Sequence, residues 1–117
     1  MKRLLQFIIS YFLRIAEENA LKRCEQFSEV VQQIDENADL IAGISIYKLT
    51  ATIKVQNRWH LQNYQIRYQA ARNLWEAWAT IARPKDVDHA RIKIVDLNGN
   101  EVGGSRVRAG SLIWVKE

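Results

Sequence analysis

The sequence is poor in the residues that build catalytic and metal sites. Its only cysteine, Cys24, excludes an intrachain disulfide and a cysteine cluster for a metal, and it fits a reducing, cytoplasmic compartment. His60 and His89 are the only histidines, and no serine lies in a G-x-S-x-G motif. The glycines form neither G-x-x-x-x-G-K nor G-x-G-x-x-G, the motifs that bind phosphate. We therefore expect a cytoplasmic protein without catalytic activity, cofactor or small-molecule substrate.

Two short clusters of metal-binding residue types have simpler interpretations. Residues 86–89 contain two aspartates and a histidine, which a solvated connector explains. Residues 96–100 resemble the start of a calcium loop, but Glu101 stands where that loop needs glycine and Val107 where it needs glutamate. We expect no metal site in either cluster.

Long hydrophobic runs are also lacking. The apolar run over residues 4–15 is interrupted by Gln6 and Ser10, and it is shorter than the about 20 residues that a membrane-spanning helix needs. No small-residue cleavage site follows it, so we expect no signal peptide. Association with a membrane surface is a weaker alternative for this segment.

What the sequence has is an ordinary globular composition. Hydrophobic residues make up 48% and charged residues 26% of 117 residues, which predicts one folded domain. We divide it into a helical arm over residues 1–36 and an α+β body over residues 40–117.

The arm carries apolar residues at helical spacing from Leu5 to Ile34. A helix of that length extends about 45 Å, whereas a compact domain of this size has a radius of gyration near 13 Å. The first half is apolar on more than one face, so a second body must cover it. The predicted interface residues in the arm are Leu5, Ile8, Ile9 and Phe12.

Two segments of the body follow regular patterns. Apolar and polar residues alternate from Tyr47 to Val55, which predicts one half-buried strand, although the segment from Leu40 onward also fits a helical period. From Arg58 to Arg83 the spacing predicts a helix that Pro84 ends. Its aromatic seam supplies the remaining predicted interface residues, Tyr64, Tyr68, Trp75 and Trp78.

The last third predicts β structure. Residues 91–96 form a short strand, and Asn98-Gly99 suits a type I′ hairpin turn. The return strand over residues 101–107 is expected to bulge at Gly103-Gly104, and residues 112–115 form a final strand. The fold class is therefore α+β: a long N-terminal helix, one strand, a second helix, an antiparallel hairpin and a last strand.

Positive charge is concentrated in the second half of the chain. Residues 1–57 carry seven basic and seven acidic side chains, so the net charge of +4 belongs to residues 58–117. Residues 40–75 contain no acid and mix cations with aromatic residues, as surfaces that bind nucleic acid do. The candidate nucleic-acid-binding residues there are Lys48, Lys54, Arg58, Arg67 and Arg72.

The hairpin adds a second basic group. A two-residue turn at Asn98-Gly99 would place Asp96 opposite Glu101 and Arg91 opposite Arg106. Like charges on one face are tolerated if water solvates them, and they are stabilised if an anion binds to them. Both interpretations stay open. The cations that share the face are Arg91, Lys93, Arg106 and Arg108.

Two functions follow from these patterns. The favoured hypothesis is a structural subunit that forms a homo-oligomer or docks into a larger complex through the arm and the aromatic seam. The alternative is a small basic module that binds nucleic acid through the cations of residues 40–75 and of the hairpin.

Overall fold

The computed structural model describes residues 19–36, 39–106 and 112–117. In these residues the chain is α+β, with a long helix, further helices and a five-stranded sheet whose strands lie in chain order. The predicted fold class is therefore confirmed. The predicted interface residues Leu5, Ile8, Ile9 and Phe12 and the candidate Arg108 lie outside the described residues.

The sheet consists of β1 (Ile41–Tyr47), β2 (Thr50–Val55), β3 (Arg91–Val95), β4 (Glu101–Ser105) and β5 (Ile113–Val115). All neighbouring strands are antiparallel except β2 and β3, which are parallel. Parallel neighbours require a crossover connection, and helical segments between β2 and β3 provide it.

The described part of α1 covers residues 19–34. The crossover contains the short α2 (Asn57–His60), the long α3 (Tyr64–Ala82) and a 3-10 helix (Val87–His89). The Asn63 side chain starts α3 by accepting a hydrogen bond from the Ile66 N–H at 2.9 Å, which satisfies one of the unpaired donors of the first turn.

The segment predicted as one strand from Tyr47 to Val55 is instead the end of β1, a turn and the whole of β2. Tyr47 lies opposite Thr50, so Lys48 and Leu49 form a two-residue turn. Lys48 has the positive φ of 55° that such a turn requires, although no glycine marks the position. The alternation continues through the turn without interruption, and this conceals the reversal. The alternative helical interpretation is wrong.

The helix predicted over residues 58–83 is interrupted. Residues 61–63 separate α2 from α3, and Leu61 between them is 82% exposed. The break occurs because Asn63 adopts an extended conformation and caps a new helix.

The β3–β4 hairpin is confirmed, but its predicted register is wrong at the turn. Val95, not Asp96, lies opposite Glu101. The loop therefore covers residues 96–100, with the Asp96 carboxylate accepting backbone hydrogen bonds from Asn98 and Asn100 at 2.9 Å each. The bulge predicted at Gly103-Gly104 lies instead at Val102, because Ile94 pairs with Gly103 and the next residue of β3 pairs with Glu101.

The core lies on one face of the sheet, beneath α1 and α3. Phe27 of α1 meets Trp78 of α3 with ring centroids 5.2 Å apart, and both side chains are fully buried. The indole N–H of Trp78 donates to the Leu49 carbonyl at 2.9 Å, which ties α3 to the β1–β2 turn. Among the described residues, the helices pack on this face, and an open groove lies on the opposite face of the sheet.

Candidate functional site

The face of the sheet turned away from α1 and α3 is polar and basic, and we call it the open face. Strand pairing defines a continuous row of neighbours across all five strands of this face. Because residues that lie opposite each other in a sheet point to the same side, the side chains of a row are adjacent. In order from β1 to β5, the row is Ser45, Thr52, Lys93, Gly104 and Trp114.

A second row runs beside it. Tyr47, Thr50 and Arg91 are neighbours across β1, β2 and β3. All residues of the two rows except Ser45 line a shallow groove of about 560 Å³, which Arg106 also lines just after β4. The groove therefore has cations, hydroxyl groups and aromatic rings along its walls.

Positive charge exceeds negative charge in the groove. Its walls carry three cations, Arg91, Lys93 and Arg106, against one carboxylate, Glu101. Lys93 Nζ lies 3.1 Å from Glu101 Oε1, and both side chains are about half exposed. An exposed ion pair of this kind is weak, so the groove keeps a net attraction for anions.

Two aromatic rings in the groove lie close to cations. The Arg106 guanidinium carbon is 5.9 Å from the centroid of the Trp114 ring, and Lys48 Nζ is 5.5 Å from that of Tyr47. Tyr47 is 75% exposed. Each pair combines a flat π surface with a positive charge, the combination that binds a base together with its phosphate.

Gly104 leaves room at the middle of the groove. Its φ is +152°, and a Cβ at this position would lie 2.8 Å from the Ile92 carbonyl oxygen. The same Cβ would lie 3.6 Å from Trp114 Nε1. Glycine therefore allows β4 to pass close to β3. It also leaves no side chain between the β4 backbone and the edge of the Trp114 indole.

The structure brings together three of the four cations predicted on the hairpin. Arg91, Lys93 and Arg106 all line the groove. Arg91 is also anchored by hydrogen bonds from Nη1 to the carbonyl oxygens of Asp88 and Ala90, so its position is fixed by the backbone.

The cations of residues 40–75 do not form one surface. Lys54 is exposed on β2, in the row of residues adjacent to the row that contains Lys93. Lys48 lies at the β1–β2 turn. The helical cations have other partners: Arg67 bonds to the Gln62 and Lys116 carbonyls, and Arg72 Nε lies 3.2 Å from Glu76 Oε1. Arg58 is exposed on α2.

The aromatic seam predicted as a protein interface divides into two parts. Tyr64 and Tyr68 stack at the start of α3 with centroids 6.3 Å apart, and Tyr64 is 44% exposed. Trp75 and Trp78 are 7% and 0% exposed within the chain's own core. The two tryptophans are therefore covered within the chain and offer no surface to a partner.

Trp114 and Tyr47 were not among the predicted nucleic-acid-binding residues. Trp114 lies between the buried residues Ile113 and Val115, and this alternation was a signal that its ring points to the opposite face. Tyr47 could be placed only after the turn at Lys48 was known, because the turn decides which strand carries it.

The acidic residues outside the groove have local roles. Asp86 Oδ2 lies 2.6 Å from His89 Nδ1, and this hydrogen bond lowers the pKa of Asp86 below its ordinary value of 3.8. The backbone N–H of Asn100 is the main cause of the lowered pKa of Asp96, and the N–H of Asn98 adds to it. Both carboxylates therefore stabilise their loops when ionised, and this stabilisation is lost as the pH falls through the lowered pKa.

None of the helices in residues 19–36, 39–106 and 112–117 has the length and apolarity needed to cross a membrane. Comparisons with protein-family models, with curated proteins and with solved structures give no match to this chain.

Proposed function

We propose that the open face binds single-stranded nucleic acid. The observation that carries the proposal is the convergence of Arg91, Lys93 and Arg106 on a groove that also contains the Trp114 ring. In this arrangement the cations contact phosphates and the indole stacks on a base. The affinity is therefore electrostatic in origin, and it depends little on the base sequence.

The shape of the site favours a single strand over a duplex. A duplex is read by a helix or a narrow β ribbon that enters a groove of the nucleic acid, whereas this site is a shallow groove in the face of a five-stranded sheet. Bases of a single strand are unstacked and can lie against aromatic side chains on a sheet. Thr50 and Thr52 add hydroxyl groups that can bond to sugar and phosphate oxygens.

Fluorescence anisotropy with a labelled single-stranded oligonucleotide tests the proposal. Arg106→Ala is expected to weaken binding and to reduce the slope of log K against log salt concentration by about 0.7, because one phosphate contact is lost. Trp114→Ala is expected to cost about 1–3 kcal/mol of binding free energy through lost stacking.

The matched control is Arg72→Ala, which removes an exposed cation of α3 that is paired with Glu76. It is expected to leave binding nearly unchanged, and circular dichroism checks that all variants are folded. Absence of binding at low salt would overturn the proposal. Equal weakening by Arg72→Ala and Arg106→Ala would place any binding elsewhere than in the groove.

A second function, a subunit that assembles through its N-terminal helix, is favoured by the exposure pattern of α1. Phe27 and Val31 are 0% and 3% exposed, whereas Ala20, on the same apolar stripe, is exposed and Leu21 is 65% exposed. The stripe continues in the sequence toward Phe12 and Leu5. We propose that this stripe docks against a second copy or another protein of a larger complex, in a cytoplasmic setting that suits the single cysteine.

A further inference from the structure

Strand β1 is an edge of the sheet, since β2 is its only partner among the described residues. The direction of its peptide groups follows from the neighbouring strands. The Arg91 N–H donates to the Leu49 carbonyl at 3.4 Å across the parallel pair. Peptide groups alternate in direction along a strand, so those of Thr50 point the other way, toward Tyr47 of β1.

The same alternation continues along β1. Tyr47 and Ser45 direct their peptide groups inward to β2, where they pair with Thr50 and Thr52. The N–H and carbonyl groups of Ile44 and Ile46 therefore point to the outer edge. They form a short template to which another extended strand can bond.

Strand β1 has few of the features that protect edge strands from pairing. Residues 41–47 contain no charged side chain and no proline, which are two of the devices that proteins use against edge pairing. The bulge at Ala42 disturbs only the beginning of the strand. The segment from Gly43 to Tyr47 is regular, so five residues are available to a partner.

We propose that a second copy of this chain pairs with β1 in an antiparallel register with Ser45 on the two-fold axis. In this register Ile44 lies opposite Ile46 of the second copy, and both direct their peptide groups to each other. The two pairs related by the axis then form four backbone hydrogen bonds. The apolar side chains of both isoleucines continue the helix-covered face across the junction.

The side chains on the open face also fit this register. Tyr47 of one copy lies opposite Gly43 of the other. A Cβ at Gly43 would have no atom within 4 Å, and Tyr47 is 75% exposed. An aromatic ring that covers a glycine on the neighbouring strand is a favourable cross-strand pair.

The charges at the strand ends are complementary. Asp39 precedes β1 and Lys48 follows it. Antiparallel pairing brings the end that carries Lys48 toward the end of the second copy that carries Asp39, so opposite charges share each end of the junction. The open faces of the two copies lie on the same side, which joins the two grooves into one longer surface.

Charge placed at Ser45 tests the register directly. Two Ser45→Glu chains would oppose like charges on the axis, and Ser45→Lys chains would do the same, so each variant alone is expected to dimerise more weakly by on the order of tenfold or more. A mixture of Ser45→Glu and Ser45→Lys is expected to recover the dimer, measured by analytical ultracentrifugation. Gln65→Glu, at an exposed position on α3, is the matched control and is expected to behave as the wild type.

Crosslinking supplies a second readout that does not depend on affinity. In a Cys24→Ser background, Ser45→Cys is expected to form a covalent dimer on oxidation, because directly opposite residues of a non-hydrogen-bonded pair are close enough for a disulfide. Tyr47→Cys is the control, since it faces glycine in this register. A wild-type chain that stays monomeric, a mixture that does not recover dimer, or equal crosslinking by both variants would overturn the inference. None of these results would affect nucleic-acid binding in the groove.

Discussion

Gly104 shows how a single residue shapes the proposed site. Its φ of +152° is a conformation that other residues rarely adopt, and an added Cβ would lie only 2.8 Å from the Ile92 carbonyl oxygen. The backbone atoms there cannot move aside as a flexible side chain could. Gly104 is therefore required by both the conformation of β4 and the closeness of β3.

Replacing this glycine tests that requirement. Gly104→Ala is expected to lower the free energy of unfolding by about 1–3 kcal/mol, the cost of strained backbone, measured by urea denaturation. Gly43→Ala is the control, because a Cβ there meets no atom within 4 Å and its φ is not positive. The explanation fails if Gly104→Ala costs no more than Gly43→Ala.

Trp75 and Trp78 show what residue spacing does and does not predict. Their period placed them correctly on one face of a helix. Periodicity identifies a buried face but not the elements that cover it, and here the chain's own sheet and α1 cover this face. The indole N–H groups are bonded to the Ala90 and Leu49 carbonyls, which fixes both rings inside the core.

At the scale of elements, the sequence predicts the type of a helix or strand better than the positions at which it is interrupted. The alternation around Lys48 shows no interruption because its turn uses a positive φ without glycine. The break before α3 depends on Asn63, which caps the new helix. Asparagine favours caps over helix interiors, but the helical spacing of the residues on both sides of Asn63 conceals this signal. A turn involves only a few residues. When the spacing of apolar residues continues unchanged across a turn, the pattern does not reveal it.

The role of α1 as a docking element can be tested by shortening it. Removal of residues 1–16 is expected to lower the mass of any assembly formed through the apolar stripe, because that deletion removes the predicted interface residues Leu5, Ile8, Ile9 and Phe12. Light scattering at low micromolar concentration measures the change. The core contacts of Phe27 and Val31 remain, so the shortened chain is expected to stay folded.

The control for this deletion is the Gln65→Glu variant of the full chain, which changes an exposed residue of α3 and leaves both α1 and the β1 edge intact. An assembly that depends on α1 loses mass only in the shortened chain. An unchanged mass after the deletion would contradict docking through α1.

At the scale of the whole molecule, the sheet separates two faces of different character. One face of the sheet is covered by helices and carries the apolar core, and the other carries Lys54, Arg91, Lys93 and Arg106. The positive charge of the second half was evident from composition. Its convergence with Trp114 was not, because this tryptophan is brought to Lys93 by three strands whose register only the folded chain defines.

The most direct test of the central claim is to map the contact surface by NMR while a single-stranded oligonucleotide is titrated into the isotope-labelled full chain. We predict that the largest shift changes occur at the Trp114 indole N–H and at the amides of Lys93 and Gly104. Little change is expected at Asn73 and Glu76, on the exposed side of α3. Shift changes centred on α3, or none on the open face at low salt, would contradict binding by the open face.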